Sequence, residues 1–231
     1  GLRARIGVEG AQLERRADAL LVATGRRAAL DELGLEHVDL RPTDGWLAHD
    51  STMRTAHHDI FVAGDATGRF QILHLANQEG TVAGHNAAGG EPSKRMDYRL
   101  KMNVIFTDPP YASVGMTSRE LEADVAQGRH VVASSVRLPQ TGRAITMGAE
   151  HGLWKLFADG KTGEVLGSAI VGPRADDLIH LISTLMYYRA AVSDISQMPW
   201  YHPTLAEVML NLERELADLM PGLEKAPPPP A

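Results

Sequence analysis

A run of residues that disrupt regular structure, Gly89-Gly90-Glu91-Pro92-Ser93, divides this 231-residue sequence into two parts with different patterns. Before the run, continuous apolar segments end in glycine-containing turns, as in an α/β domain. After it, short strand-like segments precede two helices with one apolar side each. The sequence therefore predicts two domains, residues 1–92 and 93–231, each with its own core.

The first part has the pattern of the end of an α/β domain. Residues 1–18 alternate in polarity and predict a pair of strands. The apolar runs at 19–23 and 60–63 are typical of buried strands in a parallel sheet. A helix is predicted from about Ile72 to Ala88. One face of that helix carries small residues suited to close packing: Ala76, Gly80, Ala83, Gly84 and Ala87.

The second part has the pattern of an α+β domain. Four strands are predicted, at 102–107, 131–138, 153–158 and 164–171. The last two flank Asp159-Gly160-Lys161-Thr162-Gly163, whose turn chemistry predicts a hairpin. Two helices follow, one from about Asp176 and one after His202, and the proline-rich end of the chain is predicted to be disordered. The expected fold class is α/β plus α+β, with an antiparallel sheet and helices in the second domain.

Composition excludes several classes of function. The 29 acidic residues outnumber the 23 basic ones without long charged runs, which argues against a nucleic-acid or anionic-membrane partner. Neither a membrane-spanning segment nor a signal peptide is recognisable, so we expect a cytoplasmic protein without a membrane partner. The absence of cysteine excludes disulfides, a thiolate nucleophile and cysteine-bound metal within this chain.

The segment His202-Pro203-Thr204-Leu205-Ala206-Glu207 is the strongest candidate for acid/base chemistry. Because proline is favoured at a first helical position, the spacing predicts a helix beginning at Pro203, with His202 at its mouth. Glu207 would then lie close enough to orient the imidazole, the usual arrangement for a histidine acid/base. A proline-started helix with a solvated glutamate fits the same spacing.

A series of motifs, in order along nearly the whole chain, resembles the C-terminal half of the pyridine nucleotide-disulfide oxidoreductases. This flavoenzyme family includes lipoamide dehydrogenase and glutathione reductase. The matching segments are 21–26, Arg54-Thr55 with 59–65, 106–115, 152–156, 172–176, and 202–204 with Glu207. The segment 106–115 resembles the opening of the family's dimerisation domain.

The resemblance implies a partial FAD-binding domain before the break. Asp65 would hold the ribityl chain of FAD, and Gly64 would let the backbone come close. The start of the following helix, comprising Gln71, Ile72, Leu73 and His74, would offer backbone N–H groups to the flavin's pyrimidine oxygen. Gly25 would lie near the nicotinamide nucleotide. If the resemblance is set aside, an ordinary Gly-Asp turn explains Gly64 and Asp65 equally well, and an ordinary turn glycine explains Gly25.

No metal site is expected. The adjacent histidines His57 and His58 are possible ligands, but the sequence offers no third ligand at a useful spacing. Exposed loop histidines are the preferred interpretation.

The resemblance also implies a homodimer that uses FAD and NAD(P) and acts on a disulfide or dithiol substrate. His202 and Glu207 would be its acid/base pair, reaching the redox cysteines of the other subunit. The sequence contains neither those cysteines nor a Gly-x-Gly-x-x-Gly fingerprint, so we expect part of a longer enzyme, inactive alone and without tightly bound FAD. Two alternatives stay open: a non-catalytic dimerisation module, and a family member with another acceptor, such as a quinone or a metal ion.

Overall fold

A computed structural model describes residues 1–8, 10–89 and 93–221. The chain forms two compact units, Gly1–Arg95 and the residues from Met96 onward. Residues 90–92, the centre of the predicted break, and the proline-rich end both lie outside the described residues.

The first unit contains a hairpin and one long helix. Strands β1 (Leu2–Val8) and β2 (Ala11–Ala17) pair antiparallel, with Ile6 opposite Leu13. Helix α1 spans Leu73–Ala88. The predicted pair of strands and the predicted helix are both confirmed.

The two predicted parallel strands of this unit do not form. Residues 19–23 have no strand partner, and Leu21 is 90% exposed. In the segment 60–63, Phe61 makes only an isolated bridge with Arg54, although Val62 is buried. A parallel strand needs neighbours for its backbone N–H and C=O groups. Among the described residues of this unit, β1 and β2 pair only with each other, so those neighbours are lacking.

Helix α1 packs through a different face from the predicted one. Of the small residues, Ala83 is buried, whereas Gly80, Gly84 and Ala87 are exposed. The buried face also carries two polar residues, Glu79 and Asn86. The Asn86 Nδ2 donates to the carbonyls of Thr52 (2.9 Å) and Lys94 (2.8 Å), which fastens the helix to the preceding and following segments.

The second unit is built on a five-stranded antiparallel sheet with the order β3-β4-β7-β6-β5. Its strands are β3 (Met102–Ile105), β4 (Tyr111–Gly115), β5 (Val131–Arg137), β6 (Leu153–Asp159) and β7 (Val165–Val171). The four predicted strands and the β6–β7 hairpin are confirmed, and β4 is an addition to them.

Helices cover this sheet and complete the core. They are α2 (Ser118–Ala126), α3 (Gly142–Thr146), α4 (Ala175–Tyr187), α5 (Val192–Ile195) and α6 (Val208–Leu219). Helix α4 packs on β4 and β7, and α6 packs on β5. At the centre Trp154 is fully buried, and its indole N–H donates to the Ser168 hydroxyl at 3.0 Å. The mixed α/β fold class with an antiparallel second domain is therefore confirmed.

None of the helices in the described part of the chain is long and apolar enough to cross a membrane.

Candidate functional site

His202 and Glu207 are in direct contact in the second unit. The ring Nδ1 lies 2.8 Å from Glu207 Oε2. An ionised carboxylate can only accept, so the Nδ1–H donates and Nε2 is left to exchange protons. The His202 side chain is 78% exposed and that of Glu207 only 20%, so the imidazole faces solvent from a partly buried carboxylate.

The helix start predicted at Pro203 is wrong, because α6 begins at Val208 and Glu207 immediately precedes it. Residues 204–207 form a turn closed by short-range bonds, such as that from the Val208 N–H to the Leu205 carbonyl at 3.3 Å. The contact between His202 and Glu207 thus comes from this turn, not from a regular helix.

A cavity of about 550 Å³ lies beside this segment. Its wall combines Tyr201 and Thr204 with Leu181 of α4 and with Met147, which follows α3. Tyr201 is 82% exposed. The histidine segment therefore borders a largely apolar depression.

In the first unit, Gly64 and Asp65 form a turn anchored by a buried carboxylate. The Gly64 N–H donates to Glu79 Oε2 at 2.7 Å, and Glu79 is fully buried in α1. Gly64 has a φ of 70°, which favours glycine. The Asp65 carboxylate remains half exposed and lies 3.4 Å from the Arg26 guanidinium. This arrangement fixes the turn at Gly64 and leaves the Asp65 carboxylate half exposed.

The start of α1 lies against this turn and suits a polar ligand atom. Ile72 precedes the helix and provides no side-chain cap, and the first turn of a helix carries a partial positive charge. Leu73 is 77% exposed, His74 is exposed, and Gln71 is half-buried. An exposed carboxylate, a helix start without a side-chain cap and an exposed apolar side chain fit the ribityl chain and the ring of a flavin.

Gly25 lies in an irregular, exposed segment with a φ of 101°, a conformation that favours glycine. Its neighbour Arg26 contacts Asp65. The structure therefore brings the segment after Gly25 to the Asp65 turn.

The histidine pair acquires a third possible ligand that sequence spacing did not suggest. Potential ligand atoms of His57, His58 and Asp59 all lie within 4.8 Å of one another. These groups already contact each other, since His58 Nε2 lies 2.8 Å from Asp59 Oδ2 and the Asp59 N–H donates to His57 Nδ1 at 3.3 Å. The absence of a metal site stays a prediction.

Sequence reasoning missed two residues that support these sites. Thr204 bonds to Glu207, and the Thr-x-x-Glu spacing typical of a capping box was the available signal. Glu79 holds Gly64, and its signal was a carboxylate on the face of α1 that also carries Val82 and Ala83.

Comparisons with known proteins identify the family of this chain. Residues 5–80 match the family profile described as pyridine nucleotide-disulphide oxidoreductase, and residues 102–212 match that of the family's dimerisation domain. The chain belongs to the pyridine nucleotide-disulphide oxidoreductase family, whose members are flavoproteins that use FAD and NAD(P).

Curated relatives are much longer than this chain. Dihydrolipoyl dehydrogenase 3 of Haloarcula marismortui is 34% identical over 200 residues, which cover 86% of this chain and 41% of the relative. The dihydrolipoyl dehydrogenase of Thermus scotoductus is 33% identical over 208 residues, covering 90% and 44%. The chain thus spans about two fifths of the length of these relatives.

Two solved structures have a fold similar to that of this chain. LpdA from Mycobacterium tuberculosis matches with a TM-score of 0.78 and 26% identity, over 93% of this chain and 47% of LpdA. The Cu(II) complex of RclA, an HOCl-induced flavoprotein disulfide reductase from Escherichia coli, matches with a TM-score of 0.75 and 25% identity, over 92% and 47%.

Proposed function

We propose that this chain supplies the acid/base pair, part of the FAD site and the dimer interface of a flavin-dependent disulfide or dihydrolipoamide oxidoreductase. The observation that carries the proposal is the 2.8 Å contact between His202 Nδ1 and Glu207 Oε2. It leaves an exposed imidazole with a defined free nitrogen, Nε2, as thiol chemistry requires. The similarity to dihydrolipoyl dehydrogenases supports the substrate class.

The pair would act by moving one proton at Nε2. A substrate thiol gives its proton to Nε2, and the resulting thiolate attacks a disulfide sulfur. A new S–S bond forms as the old one breaks, and the displaced sulfur leaves as a thiolate. Glu207 stabilises the imidazolium formed in this step. Since this chain has no cysteine, the attacked disulfide belongs to another part of the enzyme or to its partner subunit.

The first unit would hold the flavin. Asp65 would accept hydrogen bonds from the ribityl hydroxyls, and the start of α1 at Leu73 and His74 would face the pyrimidine oxygen. Glu79 supports this role by fixing Gly64. Bound FAD would supply two-electron transfer between the nicotinamide and the disulfide.

The second unit would form a homodimer. The match to the dimerisation domain supports this, as do exposed aromatic side chains in the same unit: Tyr187, Tyr188 and Tyr201 are 64%, 76% and 82% exposed. Light scattering at micromolar concentration should give the mass of two chains. A monomer at that concentration would argue against the interface.

The decisive experiment is His202→Gln in a protein of the relatives' full length. Thiol–disulfide turnover should fall by about two to four orders of magnitude, while flavin reduction by the nicotinamide nucleotide persists. His151→Gln, at an exposed position of the same unit, is the control and should change neither reaction. Equal loss of both half-reactions in His202→Gln would indicate a structural role for His202.

A metal-ion or quinone acceptor is the second candidate, and the Cu(II) complex of RclA, with its similar fold, favours testing it. The same variant separates the two ideas. Reduction of Cu(II) or a quinone that survives His202→Gln, with little turnover of any disulfide by the unsubstituted protein, would favour the second candidate. A dimer with no flavin-dependent turnover at all would leave a non-catalytic dimerisation module.

A further inference from the structure

We propose that Thr204 is a positioning residue, which fixes the Glu207 carboxylate so that one oxygen is reserved for His202. The inference rests on the proposed acid/base role of His202. Thr204 itself contacts neither the imidazole nor a reacting atom in this proposal; it acts through Glu207.

The hydrogen bonds of Thr204 and Glu207 are reciprocal. The Thr204 N–H donates to Glu207 Oε1 at 3.2 Å, and the Glu207 N–H donates to the Thr204 hydroxyl at 3.2 Å. With Oε1 engaged in this way, Oε2 is directed to the imidazole, 2.8 Å away. The two carboxylate oxygens therefore have separate tasks, one structural and one directed at the ring.

This division matters because a free glutamate side chain has several rotamers. Ordering a glutamate side chain has an entropic cost, which the bond to an exposed imidazole would otherwise have to offset alone. The bonds between Thr204 and Glu207 meet that cost before the imidazole is engaged. The turn between Thr204 and Glu207 thus determines which ring nitrogen of His202 carries the proton.

A capping box at the start of α2, in the same unit, shows the alternative arrangement. At the start of α2, Glu120 Oε2 accepts from both the backbone N–H and the hydroxyl of Thr117, at 2.8 and 2.9 Å. The Glu120 N–H donates to the Thr117 hydroxyl at 3.3 Å, and Oε1 binds Lys101. Thr117 and Glu120 also exchange backbone-to-side-chain bonds three residues apart, but without a histidine, so Thr117 offers a control for the loss of a threonine hydroxyl.

The test measures the tautomer of His202 in the 231-residue chain by ¹⁵N NMR of its histidine rings. The His202 signals are assigned from their loss in His202→Gln. The Nδ1–H form should dominate. Thr204→Val keeps the backbone N–H that binds Oε1 but removes the hydroxyl that accepts from the Glu207 N–H, and the loss of this one hydrogen bond should lower the ratio of the Nδ1–H to the Nε2–H form about fivefold. Thr204→Ser keeps the hydroxyl and should restore the ratio to within about twofold.

Thr117→Val should lower thermal stability like Thr204→Val but leave the His202 tautomer unchanged. An unchanged ratio in Thr204→Val, or an equal change in Thr117→Val, would overturn the proposal. If the valine variant does not fold, Thr204→Ala, which also lacks the hydroxyl, must give the lowered ratio.

Turnover separates this inference from the proposed function. In a full-length protein, Thr204→Val should slow the thiol–disulfide half-reaction about fivefold and spare flavin reduction. If His202→Gln leaves turnover intact while Thr204→Val still shifts the tautomer, the proposed function fails and the positioning role stands.

Discussion

The two units differ in how completely they bury their apolar residues. In the second unit, one continuous cluster joins the sheet to α4 and α6, with Trp154, Ile179 and Leu212 fully buried. In the first unit, Leu20, Leu21 and Val22 are 67%, 90% and 69% exposed. An antiparallel sheet of neighbouring segments satisfies its own backbone, whereas strands of the parallel type depend on distant segments. The second unit thus has a complete core, and the first does not.

The largest expected effect concerns independent folding. A chain of residues 96–221 should unfold in one cooperative transition, because its core and sheet lie within that range. A chain of residues 1–95 should show no such transition. Circular dichroism during thermal and urea denaturation measures both, with the 231-residue chain as reference. Cooperative unfolding of residues 1–95 would break the contrast between the units.

The next effect compares single side chains. Trp154→Ala should destabilise the second unit by about 3–5 kcal/mol, because it leaves a large cavity and removes the bond to Ser168. Leu21→Ala should change the free energy of the unfolding transition of the 231-residue chain by no more than about 0.5 kcal/mol, since that side chain is exposed. Urea denaturation gives both values. A large effect of Leu21→Ala would mean that the segment is buried in solution.

Two glycines should respond in opposite directions. Gly84 lies on the exposed face of α1 with open space around it, so Gly84→Ala should stabilise the helix by about 0.5–1 kcal/mol. At Gly115, where φ is 76°, an added Cβ would lie 2.4 Å from the Leu166 carbonyl oxygen, so Gly115→Ala should destabilise. Helix content and thermal denaturation test the pair. Equal effects at the two positions would contradict the assigned packing.

The smallest effect depends on pH. Burial raises the pKa of Asp159, but hydrogen bonds from the Lys161 and Thr162 N–H groups and from Arg129 outweigh it, so the pKa is lowered from 3.8. A carboxylate whose pKa is lowered by folding stabilises the fold at pH values above its unfolded-state pKa. That contribution is lost as the pH falls through its folded-state pKa.

Asp159→Asn should therefore reduce stability by about 0.5 kcal/mol at pH 6 and by progressively less below pH 4. Urea denaturation across this pH range gives the difference. Asp218→Asn is the control, because Asp218 is exposed in the same unit. A deficit for Asp159→Asn that is constant with pH would exclude the charge as its cause.

The sequence predicted the second unit better than the first for a physical reason. The alternation at 131–138 and the turn after Asp159 specify strands whose partners are close in sequence. The apolar run at 19–23 predicts burial equally well, but no pattern within it reveals whether a partner strand is present. Periodicity indicates what a segment could bury, and tertiary context decides whether it does.

The sequence predicts which residues form the candidate site but only part of how they are arranged. His202 and Glu207 were paired from their spacing, and they are in contact, but through a turn and not through a helix started by Pro203. Glu79 was beyond reach because its partner is the backbone of Gly64, fifteen residues away, and backbone partners leave no pattern in side chains. The polar face of a helix can be predicted from the sequence more easily than the partner of a buried carboxylate.

The exposed run Leu20-Leu21-Val22 has a consequence for the state of this chain in solution. An apolar segment with unpaired backbone groups is a template for intermolecular strand pairing. Such pairing is open-ended, since each added chain presents a new edge, whereas a two-fold interface closes at two copies. Self-association of this chain therefore has two forms, a closed dimer and an open-ended aggregate. Only the aggregate should continue to grow as the protein concentration rises, and a charged residue in place of Leu21 should suppress it.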